Sequence, residues 1–303
     1  MSRMQPYQTY TPRRPIPPRQ PRRKPYIRHV VSFAIVVLLT MIGLRLAFPQ
    51  KGSAAVHHVA LQTRTAAQQQ QALATMTEQV NGIIAANSDI DIAVTVTDLR
   101  SAQSSNYGVD VPFEGASIGK LITAADFLHQ TEKGTESLGE TLEDGNTARY
   151  DLQQMIVISD DSAWQALNDE LGDTSLDSYA ASIGITDYDA SVNNLKTEDI
   201  AKLLQKLYDG SLLKTAERTL LLGYMKQANY RNYIVPVVPG GVSVYHKVGL
   251  LDDRIHDAAI VDNKVNPIVL VIFTNGHGVY ESSARQRIIQ SITQSVLTGY
   301  DIK

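Results

Sequence analysis

A serine and a lysine three positions apart are the residues whose types and spacing suggest chemistry. Ser117 and Lys120 lie in the sequence Phe-Glu-Gly-Ala-Ser-Ile-Gly-Lys-Leu at 113–121. The apolar periodicity of 121–128 predicts a helix, and side chains at i and i+3 on its first turn share a face. The helix N-terminus favours negative charge developing on the serine. A neutral lysine beside it would then accept the hydroxyl proton, as in Ser-Lys nucleophilic catalysis.

This spacing alone is not specific. Ser211 and Lys214 repeat it after a Tyr-Asp-Gly sequence, between two helical patterns, where we interpret them as part of a linker. Evidence from the surrounding elements and from further motifs is therefore needed to identify Ser117 as a nucleophile.

Hydrophobic periodicity predicts strands near both ends of the main domain with helices between them. A helix is predicted over 65–86, a strand over 90–99, and a turn with a second strand at 106–110. The later elements are five helices (151–158, 162–170, 175–183, 197–208, 216–228), three strands (241–249, 255–261, 267–274) and a final helix (282–297). This order is typical of an α+β fold.

The N-terminal part of the chain has a different composition. Residues 1–28 contain eight basic residues, seven prolines and no acidic residue, which predicts a disordered tail. Binding of nucleic acid or a partner is the alternative role for this tail. We favour a cytoplasmic tail that sets membrane orientation, and we expect no nucleic-acid partner.

The segment that follows the tail predicts a membrane anchor. Residues 30–44 are uncharged, and 46–48 extend the apolar run past Arg45. We therefore predict one transmembrane helix over 29–48, with the N-terminus in the cytoplasm, a stalk over 49–63 and an extracytoplasmic domain over 64–303. A cleaved signal peptide is the alternative, because the small residues at 53–55 leave a cleavage site open.

The chain has no cysteine, which excludes disulfides, lipid attachment through cysteine and thiolate metal sites. The seven histidines show no metal-ligand spacing. We expect neither a metal nor a cofactor, and the oligomeric state stays open.

Two further motifs follow Ser117-x-x-Lys120 in the chain. Ser159-Asp160-Asp161 lies in the predicted helical block, and Lys247-Val248-Gly249 ends a predicted strand. Over about 65–300 the sequence resembles the class A β-lactamase and penicillin-binding protein superfamily, whose signatures are S-x-x-K, S-D-N and K-T-G. The resemblance implies an antiparallel five-stranded sheet flanked by N- and C-terminal helices, plus an all-helical subdomain.

The resemblance also implies roles for individual residues. Ser117 would be the acylated nucleophile, and Lys120 the base or proton relay. Ser159 would pass the proton to the leaving nitrogen, and Lys247 would provide positive charge for a substrate carboxylate. The backbone N–H groups of Ser117 and Leu250 would form the oxyanion hole.

Several of these residues also have a structural interpretation. Ser159 could cap a helix, and Lys247 could be a surface lysine on an edge strand. Gly249 is expected to allow close approach of a substrate to the strand edge. Trp164 is expected in the core.

We expect His246 and His256 to pack or lie on the surface. Asp257 next to His256 resembles a fragment of a catalytic triad. Adjacent strand residues face opposite ways, which argues against that interpretation.

The sequence departs from the superfamily pattern at two motif positions. Asp161 replaces an asparagine, and an ionised carboxylate accepts hydrogen bonds but cannot donate one to a substrate carbonyl. We expect it to hold Lys120 as a cation and raise its pKa. Val248 replaces a hydroxyl residue, so a substrate carboxylate loses a contact worth roughly 1.5–3 kcal/mol.

The third departure concerns the loop expected to carry a deacylating glutamate. Residues 186–196 contain no Glu-x-x-Leu-Asn sequence. Asp189 is the remaining candidate base, and Glu198 is interpreted as an acid in the first turn of a helix. Without a base to activate water, an acyl-enzyme should be long-lived.

These observations predict a membrane-anchored serine hydrolase that is acylated at Ser117 by β-lactam or peptidoglycan-type amides and is slow to deacylate. The alternatives are a penicillin-binding or D,D-peptidase-like protein, and a catalytically silent binding module of the cell envelope.

Overall fold

The computed structural model describes residues 64–186, 188–280 and 282–303. The predicted tail (1–28), transmembrane helix (29–48) and stalk (49–63) lie outside these residues. Within the described ranges, no helix combines the length and the apolar character needed to cross a membrane.

An antiparallel sheet of five strands forms the centre of the domain. The strands in the described residues are β1 (Asp91–Asp98), β2 (Gln103–Gly108), β3 (Phe113–Glu114), β4 (Asn194–Leu195), β5 (Ser243–Leu251), β6 (Arg254–Asp262) and β7 (Ile268–Asn275). The order in the large sheet is β2-β1-β7-β6-β5, while β3 and β4 pair separately. β7 is buried over almost its full length because helices cover both faces of the sheet.

Eight helices surround the sheet in the described part of the chain. They are α1 (Ala66–Ala85), α2 (Lys120–Lys133), α3 (Ala148–Val157), α4 (Asp161–Leu171), α5 (Asp173–Ser182), α6 (Thr197–Asp209), α7 (Thr215–Gln227) and α8 (Ser282–Gly299). α1 and α8 pack on one face and enclose a core that contains Val80, Val248 and Ile289. Helices α2 to α7 form the other core with residues such as Phe127, Leu152 and Phe273.

Local signals explain where several helices begin. Thr65 forms a capping box with Gln68 at the start of α1, and Thr147 accepts a hydrogen bond from the Tyr150 N–H at the start of α3. Asp160 caps α4 by accepting from the Ala163 N–H at 3.0 Å. Ser159 therefore lies immediately before the cap residue of α4.

The α+β architecture and the five-stranded sheet are confirmed. Most element ends lie within three residues of their predicted positions. Three details differ. β2 begins at Gln103, earlier than predicted, and the two-residue pair β3–β4 was not predicted because so short a pairing leaves no periodicity in the sequence. α2 begins only at Lys120, so Ser117 precedes the helix.

Candidate active site

Ser117 lies in a 3₁₀ turn formed by Ala116–Ile118, between β3 and α2, and not on the first turn of the helix. Ala116 has φ = 46°, a left-handed conformation that interrupts helical geometry before the serine. The side-chain amide of Asn193 donates to the Ala116 carbonyl at 2.8 Å, and the Gly115 N–H donates to the Asn193 carbonyl at 2.8 Å. The loop before α6 therefore holds the turn that presents Ser117.

Asn193 also explains the glycine that follows the turn. A Cβ atom on Gly119 would collide with the side-chain oxygen of Asn193. Sequence reasoning did not identify Asn193 as part of the site. The available signal was the pair of glycines, Gly115 and Gly119, that flank the serine and indicate close approach by another segment.

Edge strand β5 lies against the same turn. A Cβ atom on Gly249 would stand 2.9 Å from both the Gly115 carbonyl oxygen and the Ile118 side chain. The atoms nearest to Gly249 thus belong to the Ser117 turn, and its role toward a substrate stays a prediction. Leu250 is the next residue of β5, and its role in the oxyanion hole with Ser117 also stays a prediction.

Four polar residues from three segments form one connected network. Lys120 donates to the Ser159 carbonyl at 2.7 Å and to the Ser159 hydroxyl at 3.3 Å, and its Nζ lies 2.5 Å from Asp161 Oδ1. Lys247 contacts the Ser159 hydroxyl at 2.7 Å and donates to the Val248 carbonyl at 3.0 Å. The structure thus brings together Lys120, Ser159, Asp161 and Lys247.

Two structural interpretations of these residues are wrong. Asp160 caps α4, so Ser159 does not serve as its cap; Ser159 instead takes a left-handed conformation with φ = 64°. Lys247 is only 2% exposed and is not a surface lysine. Val248 points into the core between the sheet and the α1–α8 pair.

Burial controls the pKa of both lysines. Desolvation lowers the pKa of Lys120, and the hydrogen bond and negative charge of Asp161 oppose this only partly. The expected rise in the pKa of Lys120 is therefore wrong in direction, because burial outweighs the carboxylate. Burial, followed by the neighbouring Lys120 charge, lowers the pKa of Lys247 to about 7.

The hydroxyl of Ser117 forms no hydrogen bond with any residue that the structure describes, and Ser117 is half-buried. A half-buried hydroxyl without a partner, held on a fixed turn, can approach a substrate carbonyl without first breaking a hydrogen bond.

Both buried histidines have structural partners. His256 accepts from the Thr274 N–H through Nδ1 at 3.1 Å, so its Nε2 carries the proton and donates to the Glu114 carbonyl at 2.9 Å. Asp257 faces away from His256 and contacts His246 Nδ1 at 3.2 Å. The expectation that His256 and Asp257 form no triad fragment is confirmed.

Asp189, the candidate deacylation base, has an exposed carboxylate. It accepts from the Ser191 N–H at 2.9 Å and from the Ser191 hydroxyl at 2.6 Å, and these bonds lower its pKa. Glu198 lies in the first turn of α6, as predicted, and accepts from the Asn106 side chain at 2.7 Å.

Comparison with known proteins identifies the family and the fold of this chain. The family model described as "Beta-lactamase enzyme family" matches residues 75–300. A comparison with curated proteins finds no match. Among solved structures, the chain is similar to PBP-A, with 20% identity, a TM-score of 0.70, and coverage of 75% of this chain and 96% of that one.

Two further structures are similar to the same degree. A PBP-A mutant in an acyl-enzyme complex with penicillin G gives 20% identity and a TM-score of 0.69, over 76% of this chain and 97% of that one. A β-lactamase from Sphaerobacter thermophilus gives 20% identity and a TM-score of 0.69, over 75% and 98%. At such low identity these structures support the fold alone.

The match to this family identifies a serine hydrolase that works through an acyl-enzyme. With three quarters of its length matched by the family model, the chain belongs to the beta-lactamase enzyme family.

Proposed function

We propose that the chain is an extracytoplasmic, membrane-anchored serine hydrolase that is acylated at Ser117 by β-lactam or peptidoglycan-type amides and releases the acyl group slowly. The observation that carries the proposal is the lysine–serine network beside the Ser117 turn. Lys120 and Lys247 both contact the hydroxyl of Ser159, so one side chain can exchange protons with two amines. Such a group can return a proton to a leaving nitrogen.

Slow deacylation is supported by the loop before α6. Hydrolysis of an acyl-enzyme needs a base that activates water. The structure describes residues 186 and 188–196 of this loop, and among them Asp189 carries a carboxylate. That carboxylate is exposed and accepts two hydrogen bonds from Ser191. A carboxylate with these two bonds and a lowered pKa is a weak base.

The anchor is supported by the sequence before the domain. Eight basic residues in 1–28 precede the uncharged run at 30–44, the arrangement that keeps an N-terminus in the cytoplasm. Membrane fractionation of cells that express the full chain, with protease added from outside, tests this orientation. Protection of the domain from the external protease would contradict it.

The activity is tested by intact-mass analysis of the full chain after incubation with a penicillin, beside Ser117→Ala. We expect a stable adduct on the wild type and none on the variant. Hydrolysed product without an adduct would show fast deacylation and contradict the slow step.

The decay of the adduct separates the alternative functions. Release within minutes indicates a slow hydrolase, whereas an adduct that persists over hours indicates a penicillin-binding protein, which the exposed, Ser191-bound carboxylate of Asp189 favours. A chain that forms neither adduct nor product would be a silent binding module, or an enzyme for a different substrate, and would overturn the proposal.

A further inference from the structure

Two buried lysines contact the same hydroxyl, but the rest of their surroundings differ. Lys120 is 0% exposed and Lys247 is 2% exposed, and both lie within hydrogen-bond distance of Ser159 Oγ. The number and type of their other contacts show which of the two amines is suited to lose its proton.

Lys120 has the contacts of an ammonium group. An ammonium has three N–H donors, and Lys120 has three acceptors: the Asp161 carboxylate at 2.5 Å, the Ser159 carbonyl at 2.7 Å and the Ser159 hydroxyl at 3.3 Å. Its Nζ also lies 5.1 Å from the centre of the Trp164 ring, whose face attracts a cation. No direction is left for a lone pair.

Lys247 has the contacts of a neutral amine. Within the described residues it forms no ion pair, and its two partners are the Val248 carbonyl at 3.0 Å and the Ser159 hydroxyl at 2.7 Å. A neutral amine donates to the carbonyl and keeps a lone pair, into which the rotatable Ser159 O–H can point. Ser159 can then accept from Lys120 while it donates to Lys247.

The charged groups around Lys247 favour the same protonation state. Lys120 on α2 opposes a second positive charge, whereas Asp161 on α4 and Asp257 on β6 favour it. Burial and the Lys120 charge together prevail, and the pKa of Lys247 falls to about 7. Near neutral pH, Lys247 is therefore available as a proton acceptor.

We propose that Lys247, reached through Ser159, accepts the proton of Ser117 during acylation, and that Lys120 stays a cation that holds Ser159 in place. This inference rests on the proposed function, because it requires Ser117 to be acylated. Ser117 and Ser159 share no hydrogen bond in the described structure, and catalytic hydrogen bonds of this kind often form only in the substrate complex. In that complex, as Ser117 Oγ bonds to the acyl carbon, its proton moves to Ser159 Oγ, and the Ser159 proton moves to the Lys247 amine. When the carbon–nitrogen bond breaks, the same path returns one proton to the leaving nitrogen.

The proposal has a consequence for the class of substrate. A neutral Lys247 does not attract a carboxylate, and Val248 offers no hydroxyl because its side chain packs in the core. Acyl donors that lack a carboxylate next to the scissile bond should therefore react at rates similar to those that carry one.

The inference is tested with two probes that differ only in this charge, benzylpenicillin and its methyl ester. The rate of adduct formation on the full chain is followed by intact mass between pH 5 and 9, for the wild type, Lys247→Met and Lys247→Arg. The matched control is Lys226→Met. Lys226 is an exposed lysine on α7, and its Nζ lies 5.9 Å from the ring of Tyr245, which is on the same strand as Lys247.

For the wild type we expect both rates to rise with pH through about 7. Both Lys247 variants should form the adduct about 100-fold more slowly or worse with either probe, since loss of a general base has effects of this size. The rate for the Lys226→Met control should stay within about twofold of the wild-type rate. A loss confined to benzylpenicillin, or activity retained by Lys247→Arg, would show that Lys247 binds a carboxylate and would overturn the inference.

A measurement that needs no turnover separates this inference from the proposed function. In the full chain labelled at the lysine ¹³Cε, with signals assigned through Lys120→Arg and Lys247→Arg, Lys247 should titrate near pH 7 while Lys120 stays charged. If Lys120 loses its proton at a lower pH than Lys247, the inference is overturned even where both probes acylate Ser117. A wild type that reacts with neither probe overturns the proposed function, and the inference with it.

Discussion

Gly249 lies so close to Gly115 that a Cβ atom on residue 249 would stand 2.9 Å from the Gly115 carbonyl oxygen. This contact joins edge strand β5 to the turn that carries Ser117. The same strand contributes Lys247 two residues earlier, so one packing contact positions the Ser117 turn relative to the polar network. The contact therefore links the stability of the fold to the geometry of the site.

Gly249→Ala should displace the Ser117 turn. We expect a loss of about 1–3 kcal/mol in the free energy of unfolding, typical of overpacking, and at least about tenfold slower acylation because the nucleophile moves. Urea unfolding and intact-mass kinetics measure the two effects. Gly240→Ala, which meets no atom within 4 Å, is the control. Acylation at the wild-type rate in Gly249→Ala would show that the turn does not depend on this contact.

Asp161→Asn should accelerate acylation. The Asp161 side chain is 85% exposed and only accepts hydrogen bonds, whereas an amide accepts from Lys120 and also donates to a substrate carbonyl. One added hydrogen bond of about 1 kcal/mol corresponds to roughly fivefold. Intact-mass kinetics with a penicillin measure the change. Asp161→Ala, which cannot donate, should show no gain, and an equal gain in both variants would contradict this explanation.

Asp189→Asn should leave the lifetime of the acyl-enzyme within about twofold of the wild type, because the exposed carboxylate is bound by Ser191 and does not act as the deacylation base. The decay of a preformed penicillin adduct, followed by intact mass over hours, measures this lifetime. A lifetime at least tenfold longer in the variant would identify Asp189 as the base.

Lys247→Met should make the folded chain more stable near neutral pH. A shift in the pKa of Lys247 from its usual value to about 7 costs the native state about 4 kcal/mol at pH 7, and two lost hydrogen bonds offset about 2 kcal/mol of this. The unfolded chain binds more protons between pH 7 and 10, so the wild type gains stability over that range and the difference shrinks. Urea unfolding at pH 7 and 10 measures the difference in the free energy of unfolding between the variant and the wild type. A less stable variant at pH 7 would mean that the pKa of Lys247 is not lowered and that its charged form is stabilised in the native state.

The sequence was sufficient to predict the layers of the fold and the network residues. Periodicity predicts the elements, because it depends only on which face of an element is buried. Ser117, Lys120, Ser159 and Lys247 are assigned because their motifs resemble the superfamily signatures. These positions could therefore be found without knowledge of how the elements pack.

The contacts that tune the site could not be predicted in this way. The β3–β4 pair is two residues long, and the support of Ala116 by Asn193 joins segments 77 positions apart. The partner of Asp257 depends on strand register, which pairs Val248 with Asp257 and leaves His246 within reach. Net pKa directions depend on burial, as Lys120 shows, and burial follows only from the assembled core.

His256 should make stability fall as the pH drops below 6.5. It is fully buried, and it holds the Glu114 carbonyl at the start of the segment that leads to Ser117. Burial lowers the pKa of His256 to about 4. The neutral ring is required here because Nδ1 accepts the Thr274 N–H, and a protonated ring would have no acceptor for it.

The direction of the effect follows from proton binding. Between pH 6.5 and 4 the unfolded chain protonates this histidine and the native chain does not, so acid favours the unfolded state. A shift from 6.5 to about 4 corresponds to about 3 kcal/mol, present above pH 6.5 and lost as the pH approaches 4. His256→Gln, which has no group that titrates in this range, should lack this part of the pH dependence.

Urea unfolding of the full chain and of His256→Gln at half-unit steps from pH 7 to 4 measures the difference. Carboxylates that titrate in the same range are common to both proteins and cancel in the comparison. Parallel curves for the wild type and His256→Gln would show that the pKa of the native ring is not lowered, and would contradict this prediction.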